Sequence, residues 1–203
     1  VFIGSSCVYS PELPLTEDNF MIGEPTESLY TYAMTKRMLY QGAKAIGDQY
    51  GLKWLCLVPS TLYGPGYHND GRQMHFIFDL IRKIIRGKEF GDEVVLWGDG
   101  YQKREIVHIK DFVQKMDLLM RSHENQIINV GAGTERSIRD FAEIISDFVE
   151  FHPKLIIYDT SKYVGSRSKI LSVEKICQIY PNYLSELTSL ELGIKSVISW
   201  FYE

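Results

Sequence analysis

Val1-Phe2-Ile3-Gly4-Ser5-Ser6-Cys7-Val8-Tyr9 opens the chain. Three apolar residues before Gly4 read as a short buried strand, Val1–Ile3, that runs into a Ser-Ser-Cys loop. In open α/β sheets, ligands sit just outside such strand ends. If the extended backbone continues briefly, Ser5 and Cys7 share a face and Ser6 points away. Taken alone, Ser-Ser-Cys after a strand is more often a plain loop than a site. A buried strand also needs neighbours, so a further N-terminal portion is expected to precede Val1.

Downstream, residues 10–25 read as a polar loop with Pro11, Pro14 and Pro25. Thr26 or Ser28 is the candidate cap of a long helix to about Tyr50. Its apolar positions Leu29, Ala33, Leu39, Ala43, Ile46 and Tyr50 have helical spacing, and Gly51 ends it. Lys53–Val58 reads as a strand stopped by Pro59. Tyr63-Gly64-Pro65-Gly66 is a turn cluster, followed by a polar loop over 67–74. His75–Arg86 reads as an amphipathic helix with Gly87 as its C-terminal cap. Strands are expected at Val94–Trp97, Glu105–Ile109, Ile127–Val130 and Leu155–Tyr158. Helices are expected from Asp111 to about Arg121, from Ser137 (cap) to Phe151, and over Val173–Tyr180 and Ser189–Tyr202. Alternating strands and helices predict an α/β fold with a mainly parallel sheet.

The 203 residues suffice for a real core. The net charge is −4, with no long Lys/Arg block, so neither a nucleic acid nor an anionic membrane is an expected partner. An anionic substrate has to meet locally placed cations. Cys7, Cys56 and Cys177 are far apart and show no metal-ligand or disulfide spacing, which fits a reducing cytoplasm and no metal site.

Tyr32-Ala33-Met34-Thr35-Lys36 is the second informative stretch. Tyr and Lys at i and i+4 lie on one helical face. A phenol with a pKa of about 10 is a poor acid-base group at neutral pH. A nearby ammonium stabilises the phenolate, and the phenol can then exchange a proton as hydride moves. The pair alone is common by chance. Its weight comes from order: strand, Ser loop, then Tyr-x-x-x-Lys.

Ser5, Tyr32 and Lys36 in this order resemble the Ser/Tyr/Lys triad of the short-chain dehydrogenase/reductases. Four further stretches resemble the extended branch that acts on nucleotide sugars: Pro59-Ser60-Thr61-Leu62-Tyr63-Gly64-Pro65, Trp97-Gly98-Asp99-Gly100, Lys103 through Asp111, and Ile128-Asn129-Val130-Gly131. Within that branch, Ser5-Ser6-Cys7, Glu24-Pro25-Thr26 and His75 are most similar to the GDP-L-fucose synthase family. The 4,6-dehydratases would need an acidic residue at Cys7. The fold implied is a Rossmann-like, doubly wound parallel sheet with a small α/β substrate lobe. Residues 1–66 would complete the NADP-binding domain, and 67–203 would form mainly the lobe, with elements returning to the sheet. The missing first part would hold roughly a hundred residues and the Gly-rich phosphate loop. Without that part the chain is expected to be inactive, and a cofactor-less binding or dimerisation module is the non-enzyme alternative.

The same resemblance implies NADPH-dependent 3,5-epimerisation and 4-reduction of GDP-4-keto-6-deoxy-D-mannose, in a homodimer. The catalytic set is Ser5, Cys7, Tyr32, Lys36 and His75, with Cys7 as base and His75 as acid. Ile3, Gly4, Ser5, Ser6, Tyr32, Lys36, Pro59, Ser60, Thr61, Leu62 and His75 would line the cofactor. Lys83, Trp97 and Arg104 would meet the GDP-linked sugar, where charge-assisted bonds to the diphosphate are strong. On residue type alone, His75 reads as polar surface, Cys7 as an apolar thiol, Trp97 as core and Arg104 as a strand-edge charge. Lys83 replaces the family's Arg, and Thr61 its Asn. Val164-Gly165-Ser166-Arg167-Ser168-Lys169 departs from the family's Asp-Gly-Thr-Pro-Arg-Lys, which leaves a related GDP-sugar, such as a 6-deoxy-heptose, as the alternative substrate. Gly131-Ala132-Gly133 lacks the third glycine of a dinucleotide loop and reads as a strand-to-helix turn.

Overall fold

The computed structural model describes residues 1–68, 70 and 72–203. The loop expected over 67–74 includes positions 69 and 71, which lie outside the described residues. Along the chain the elements are β1 (Phe2–Ile3), α1 (Tyr30–Tyr50), β2 (Leu55–Pro59), β3 (Thr61–Tyr63), α2 (Phe76–Phe90), β4 (Val95–Trp97), β5 (Lys103–Arg104) and β6 (Ile106–His108). There follow α3 (Ile109–Ser122), β7 (Gln126–Val130), β8 (Arg136–Ser137), α4 (Ile138–Val149), β9 (Ile157–Asp159), α5 (Glu174–Ile179) and α6 (Leu190–Tyr202).

The chain divides into two compact units. The first comprises Val1–Leu62, Glu105–Thr134 and Ile170–Leu187; the second comprises Tyr63–Arg104, Glu135–Lys169 and Thr188–Glu203.

The first unit is built on a parallel sheet in the order β1-β2-β7, with Phe2 opposite Cys56 and Leu57 opposite Ile128. β2 is buried along its whole length. Side chains of a strand alternate between faces, and the packing follows that parity. Leu55, Leu57, Ile128 and Val130 join Phe112 and Leu119 of α3 and Ile176 of α5. Cys56 and Val58 pack instead with Val8, Tyr9, Phe20 and Leu171, and Tyr40 of α1 borders that cluster. Helices therefore cover both faces of the sheet, the doubly wound arrangement that the family resemblance implied.

The second unit packs α2, α4 and α6 around Ile77, Phe78, Ile81 and Ile84 of α2, Phe141 and Ile145 of α4, and Ile194 and Val197 of α6, all buried. β4 and β9 pair in parallel. Ser137 caps α4 as expected, and the Asp140 side chain completes a reciprocal capping box with it.

Three local expectations change. Neither Thr26 nor Ser28 caps α1: a 3-10 turn, Glu27–Leu29, leads into the helix, and Leu29 occupies the cap position without a side-chain bond. Gly87 does not end α2. The helix continues to Phe90 and closes at Gly91, which adopts the left-handed conformation. Gly87 is glycine for space, because a Cβ there would lie 2.5 Å from Val94 Cγ2 and 3.0 Å from Phe151 Cε2. Residues 153–155 form a 3-10 turn, so the strand expected from Leu155 begins at Ile157. Among the described residues, no helix is long and apolar enough to cross a membrane.

Candidate active site

In the first unit the site begins where β1 ends. The Gly4 N–H donates to the Leu57 carbonyl at 2.8 Å. A Cβ on Gly4 would stand 3.1 Å from Val58 Cγ2 and 3.2 Å from Cys56 Sγ, so the strand end lies tight on β2. Ser5 is the last extended residue. Ser6–Val8 then forms a 3-10 turn, and Ser5 Oγ caps it by accepting the Cys7 N–H at 3.2 Å. Strand alternation therefore does not set the direction of Cys7, contrary to the expectation of a continuing strand. The Ser5 hydroxyl accepts in this bond and keeps its own hydrogen to donate. Cys7 is half-buried. The Cys56 thiol is fully buried, which pushes its pKa up to about 12 and leaves it an inert core group.

α1 brings Tyr32 and Lys36 to this turn. Lys36 Nζ donates to the Ile3 carbonyl at 3.0 Å and lies 5.7 Å from the centroid of the Tyr32 ring. Tyr32 is 49% exposed, so its ring is open to solvent beside a lysine anchored on the strand end. At the end of β2, the Ser60 N–H donates to the Val130 carbonyl at 3.2 Å and the Thr61 N–H to the Glu105 carbonyl at 3.3 Å. Ser60 Oγ is buried and has no hydrogen-bond partner among the described residues. A buried hydroxyl without a partner is costly unless something else supplies the bond.

Sequence reasoning passed over three residues that hold this region. Arg37, next to Lys36, is buried and donates to the Val8, Ile22 and Gly23 carbonyls. Its signal was a charge four residues after Ala33, on the one buried stripe of the helix. Asn129 is fully buried; its Oδ1 accepts the Tyr9 hydroxyl at 2.6 Å and its amide donates to the Leu15 and Ser172 carbonyls. Burial first, and Glu17 second, keep Tyr9 protonated far above the ordinary phenol range, so it serves as a strut. Glu105 is buried. Its Oε1 accepts the Ala132 and Gly133 N–H groups at 2.7 and 2.9 Å, and its Oε2 accepts Leu171 N–H at 3.0 Å. The Gly131–Gly133 stretch is thus a turn wrapped on a carboxylate.

The second unit holds the remaining expected residues. His75 occupies the N-cap of α2, where its carbonyl accepts the Phe78 and Asp79 N–H groups and its side chain makes no cap bond. His75 is exposed; partial desolvation, and secondarily the nearby His68, hold its imidazole pKa below the ordinary value. Lys83 pairs with Asp79 at 2.9 Å and donates to the Val95 carbonyl at 3.1 Å. Burial would raise the Asp79 carboxyl, but the bonds from Lys83 and Arg82 outweigh it and hold the group below its usual range. Trp97 is 58% exposed at the end of β4, so it is a surface ring and not the core residue its type alone suggested. Arg104 donates to the Lys103 and Ser166 carbonyls at 2.7 and 2.8 Å and to the Val164 carbonyl at 3.1 Å. Its guanidinium therefore braces the 164–166 segment.

The model of the NAD dependent epimerase/dehydratase family matches residues 1–131. A GDP-L-fucose synthase of Escherichia coli is 31% identical over the whole chain, which covers 66% of that protein. A probable GDP-L-fucose synthase of Oryza sativa is 30% identical, again over the whole chain and 62% of its own length. Among solved structures, a GDP-L-fucose synthetase from Naegleria fowleri bound to NADP superposes with a TM-score of 0.87 at 26% identity, over 98% of this chain and 64% of that one. The chain thus spans less than two thirds of the length of these relatives. With the parallel sheet, the capped Ser-Ser-Cys turn and the Tyr32–Lys36 pair already in place, the match is to be read as kinship: the chain belongs to the NAD dependent epimerase/dehydratase family.

Proposed function

We propose that the protein carrying this chain converts GDP-4-keto-6-deoxy-D-mannose to GDP-L-fucose by 3,5-epimerisation and NADPH-dependent reduction at carbon 4. The observation that carries this reading is the bond from Lys36 to the Ile3 carbonyl. It brings the Tyr32–Lys36 pair of α1 to the turn bearing Ser5 and Cys7.

The residues fit a nicotinamide cofactor. Ser60 offers a buried hydroxyl in need of a partner, and Lys36 sits at the strand end with Tyr32 beside it. Lys36, Tyr32 and the backbone of Ile3–Ser6 and Pro59–Leu62 would hold it. When bound, NADPH supplies the hydride for carbon 4. The Tyr32 phenol gives its proton to the oxygen that becomes the alcohol, and Ser5 donates a hydrogen bond to the same oxygen while it is a carbonyl. The ketone acidifies the protons on carbons 3 and 5. Cys7, as thiolate, removes them and His75, as imidazolium, returns them to the opposite face. Trp97, an exposed ring, suits stacking on a flat group of the nucleotide. Lys83 and Arg104 supply positive charge for the diphosphate.

A related GDP-sugar such as a 6-deoxy-heptose is the second reading. It is favoured by the altered 164–169 segment and by Arg104 being engaged with its carbonyls. A cytoplasmic setting goes with either reading, as does a homodimer through α1, which exposes Met38, Leu39 and Ile46.

The deciding assay supplies NADPH with GDP-4-keto-6-deoxy-D-mannose or its heptose analogue and follows NADPH oxidation and solvent deuterium uptake at carbons 3 and 5. Turnover of the hexose supports the first reading, and turnover of the heptose alone replaces it with the second. Cys7→Ser is expected to abolish deuterium uptake while reduction persists. Uptake at the native rate would remove Cys7 as the base.

A further inference from the structure

Two adjacent cations of α1 reach opposite ends of the turn that carries Ser5 and Cys7. Lys36 holds the carbonyl of Ile3, ahead of the turn. Arg37 holds the carbonyl of Val8, the last residue of the turn and the direct neighbour of Cys7. The grip on Val8 is double, with Nε at 3.1 Å and Nη2 at 2.6 Å from one oxygen. The same guanidinium donates through Nη1 to the Gly23 carbonyl at 2.8 Å and through Nη2 to the Ile22 carbonyl at 3.2 Å.

The choice of residue is informative. Position 37 follows Ala33 on the buried stripe of α1, and only 6% of Arg37 is exposed. An apolar side chain there would avoid the desolvation cost of a charge. What arginine adds is a rigid planar fork whose several donors fix an acceptor in direction as well as distance. Here the fork fixes the backbone next to Cys7 relative to the helix that carries Tyr32 and Lys36. Ser5 is tied into the same turn, since its hydroxyl accepts the Cys7 N–H.

We propose that Arg37 is a positioning residue for the proton transfers: it locks the Ser5–Cys7 turn onto α1 so that Ser5, Cys7 and Tyr32 keep one fixed arrangement. Arg37 touches neither substrate nor cofactor in this role. The proposal rests on the function assigned above to those three groups, and its test separates the two.

Arg37→Met keeps the aliphatic length and removes the fork. In the protein that carries this chain, kcat for deuterium uptake and for reduction is expected to fall about 10- to 100-fold, the scale on which small misplacements of reacting groups act, with KM for the nucleotide sugar within about twofold. Arg37→Lys, which has a single ammonium, is expected to fall between the two. The second readout is the rate at which iodoacetamide alkylates each thiol, mapped by mass spectrometry. A released turn makes Cys7 react about tenfold faster, while Cys56, buried in the sheet, stays protected as in the native protein. Cys7 and Cys56 accelerating together would mean general loosening and would overturn the proposal. So would a folded variant with native kcat and native Cys7 reactivity. If Arg37→Met does not fold, Arg37→Lys decides by the same two readouts. If the native protein turns over no nucleotide sugar, the Cys7-to-Cys56 ratio still tests the lock, and the functional reading alone fails.

Discussion

Lys36 Nζ donates to the carbonyl oxygen of Ile3 at 3.0 Å, joining the helix of the Tyr-x-x-x-Lys pair to the strand that runs into Ser5. One ammonium thus anchors backbone and stands beside a phenol ring. On the proposed function, Lys36→Met is expected to lower the rate of NADPH oxidation by about 10²-fold or more, the usual weight of a positioned acid-base group. Lys36→Arg, which can still reach a carbonyl, should retain part of the rate. A Lys36→Met protein that reduces its substrate at the native rate would separate the lysine from the chemistry.

Glu105 is expected to matter for stability. Its carboxylate accepts the N–H groups of Ala132, Gly133 and Leu171 from a buried position. Glu105→Ala strands three donors, each at about 1–3 kcal/mol, so a loss of about 3 kcal/mol or more is expected in urea unfolding. Glu105→Gln can keep an oxygen on Ala132 and Gly133 but turns an amide hydrogen toward the Leu171 N–H. It should lose about 1–2 kcal/mol. Equal stability of the alanine variant and the native protein would contradict this account.

Gly87 sets helix propensity against packing. Replacing a mid-helix glycine by alanine ordinarily stabilises by about 1 kcal/mol. Here the new methyl meets Val94 Cγ2 at 2.5 Å and Phe151 Cε2 at 3.0 Å. Overpacking of this kind costs about 1–3 kcal/mol. Gly87→Ala is therefore expected to lower the melting temperature in calorimetry. A rise would show that the 92–94 and 151 segments yield freely.

The depressed pKa of His75 makes a pH prediction. Partial desolvation and the neighbouring His68 favour the neutral imidazole in the fold, and solvent screening keeps the effect small because His75 is exposed. The unfolded chain, with an ordinary pKa near ~6.5, then binds more protons than the folded one below that pH. The contribution of His75 to stability is full above ~6.5 and is lost as pH falls through the folded value. His75→Gln should flatten the acid side of the stability profile, and His68→Gln should raise the NMR titration midpoint of His75. A midpoint at or above ~6.5 in the native protein would contradict this account.

Much of the layout was legible because it depends on local chemistry. The Tyr32–Lys36 spacing, the left-handed Gly51 after α1 and the Ser137–Asp140 cap each involve residues close in sequence. The parallel sheet followed from alternating elements. What escaped depends on distant partners. The 3-10 turn at Ser6–Val8 is held by Arg37, on an element 29 residues away. Gly87 looked like a helix end because its real reason, contact with Val94 and Phe151, lies outside the helix. Trp97 was readable as core or surface from its type, and only the position of β4 decides. Arg104 was recognisable as a charge, but its carbonyl partners at Val164 and Ser166 are some 60 residues ahead.

The path of the chain between its two units has a consequence for inheritance. Six stretches alternate between them, with junctions after Leu62, Arg104, Thr134, Lys169 and Leu187. Neither unit can be cut out as one uninterrupted peptide, and any single genetic crossover within the chain leaves at least one unit a hybrid of two parents. Replacing the second unit with that of a relative would take three coordinated grafts. New properties of either unit are thus easier to reach by individual substitutions than by shuffling whole cassettes.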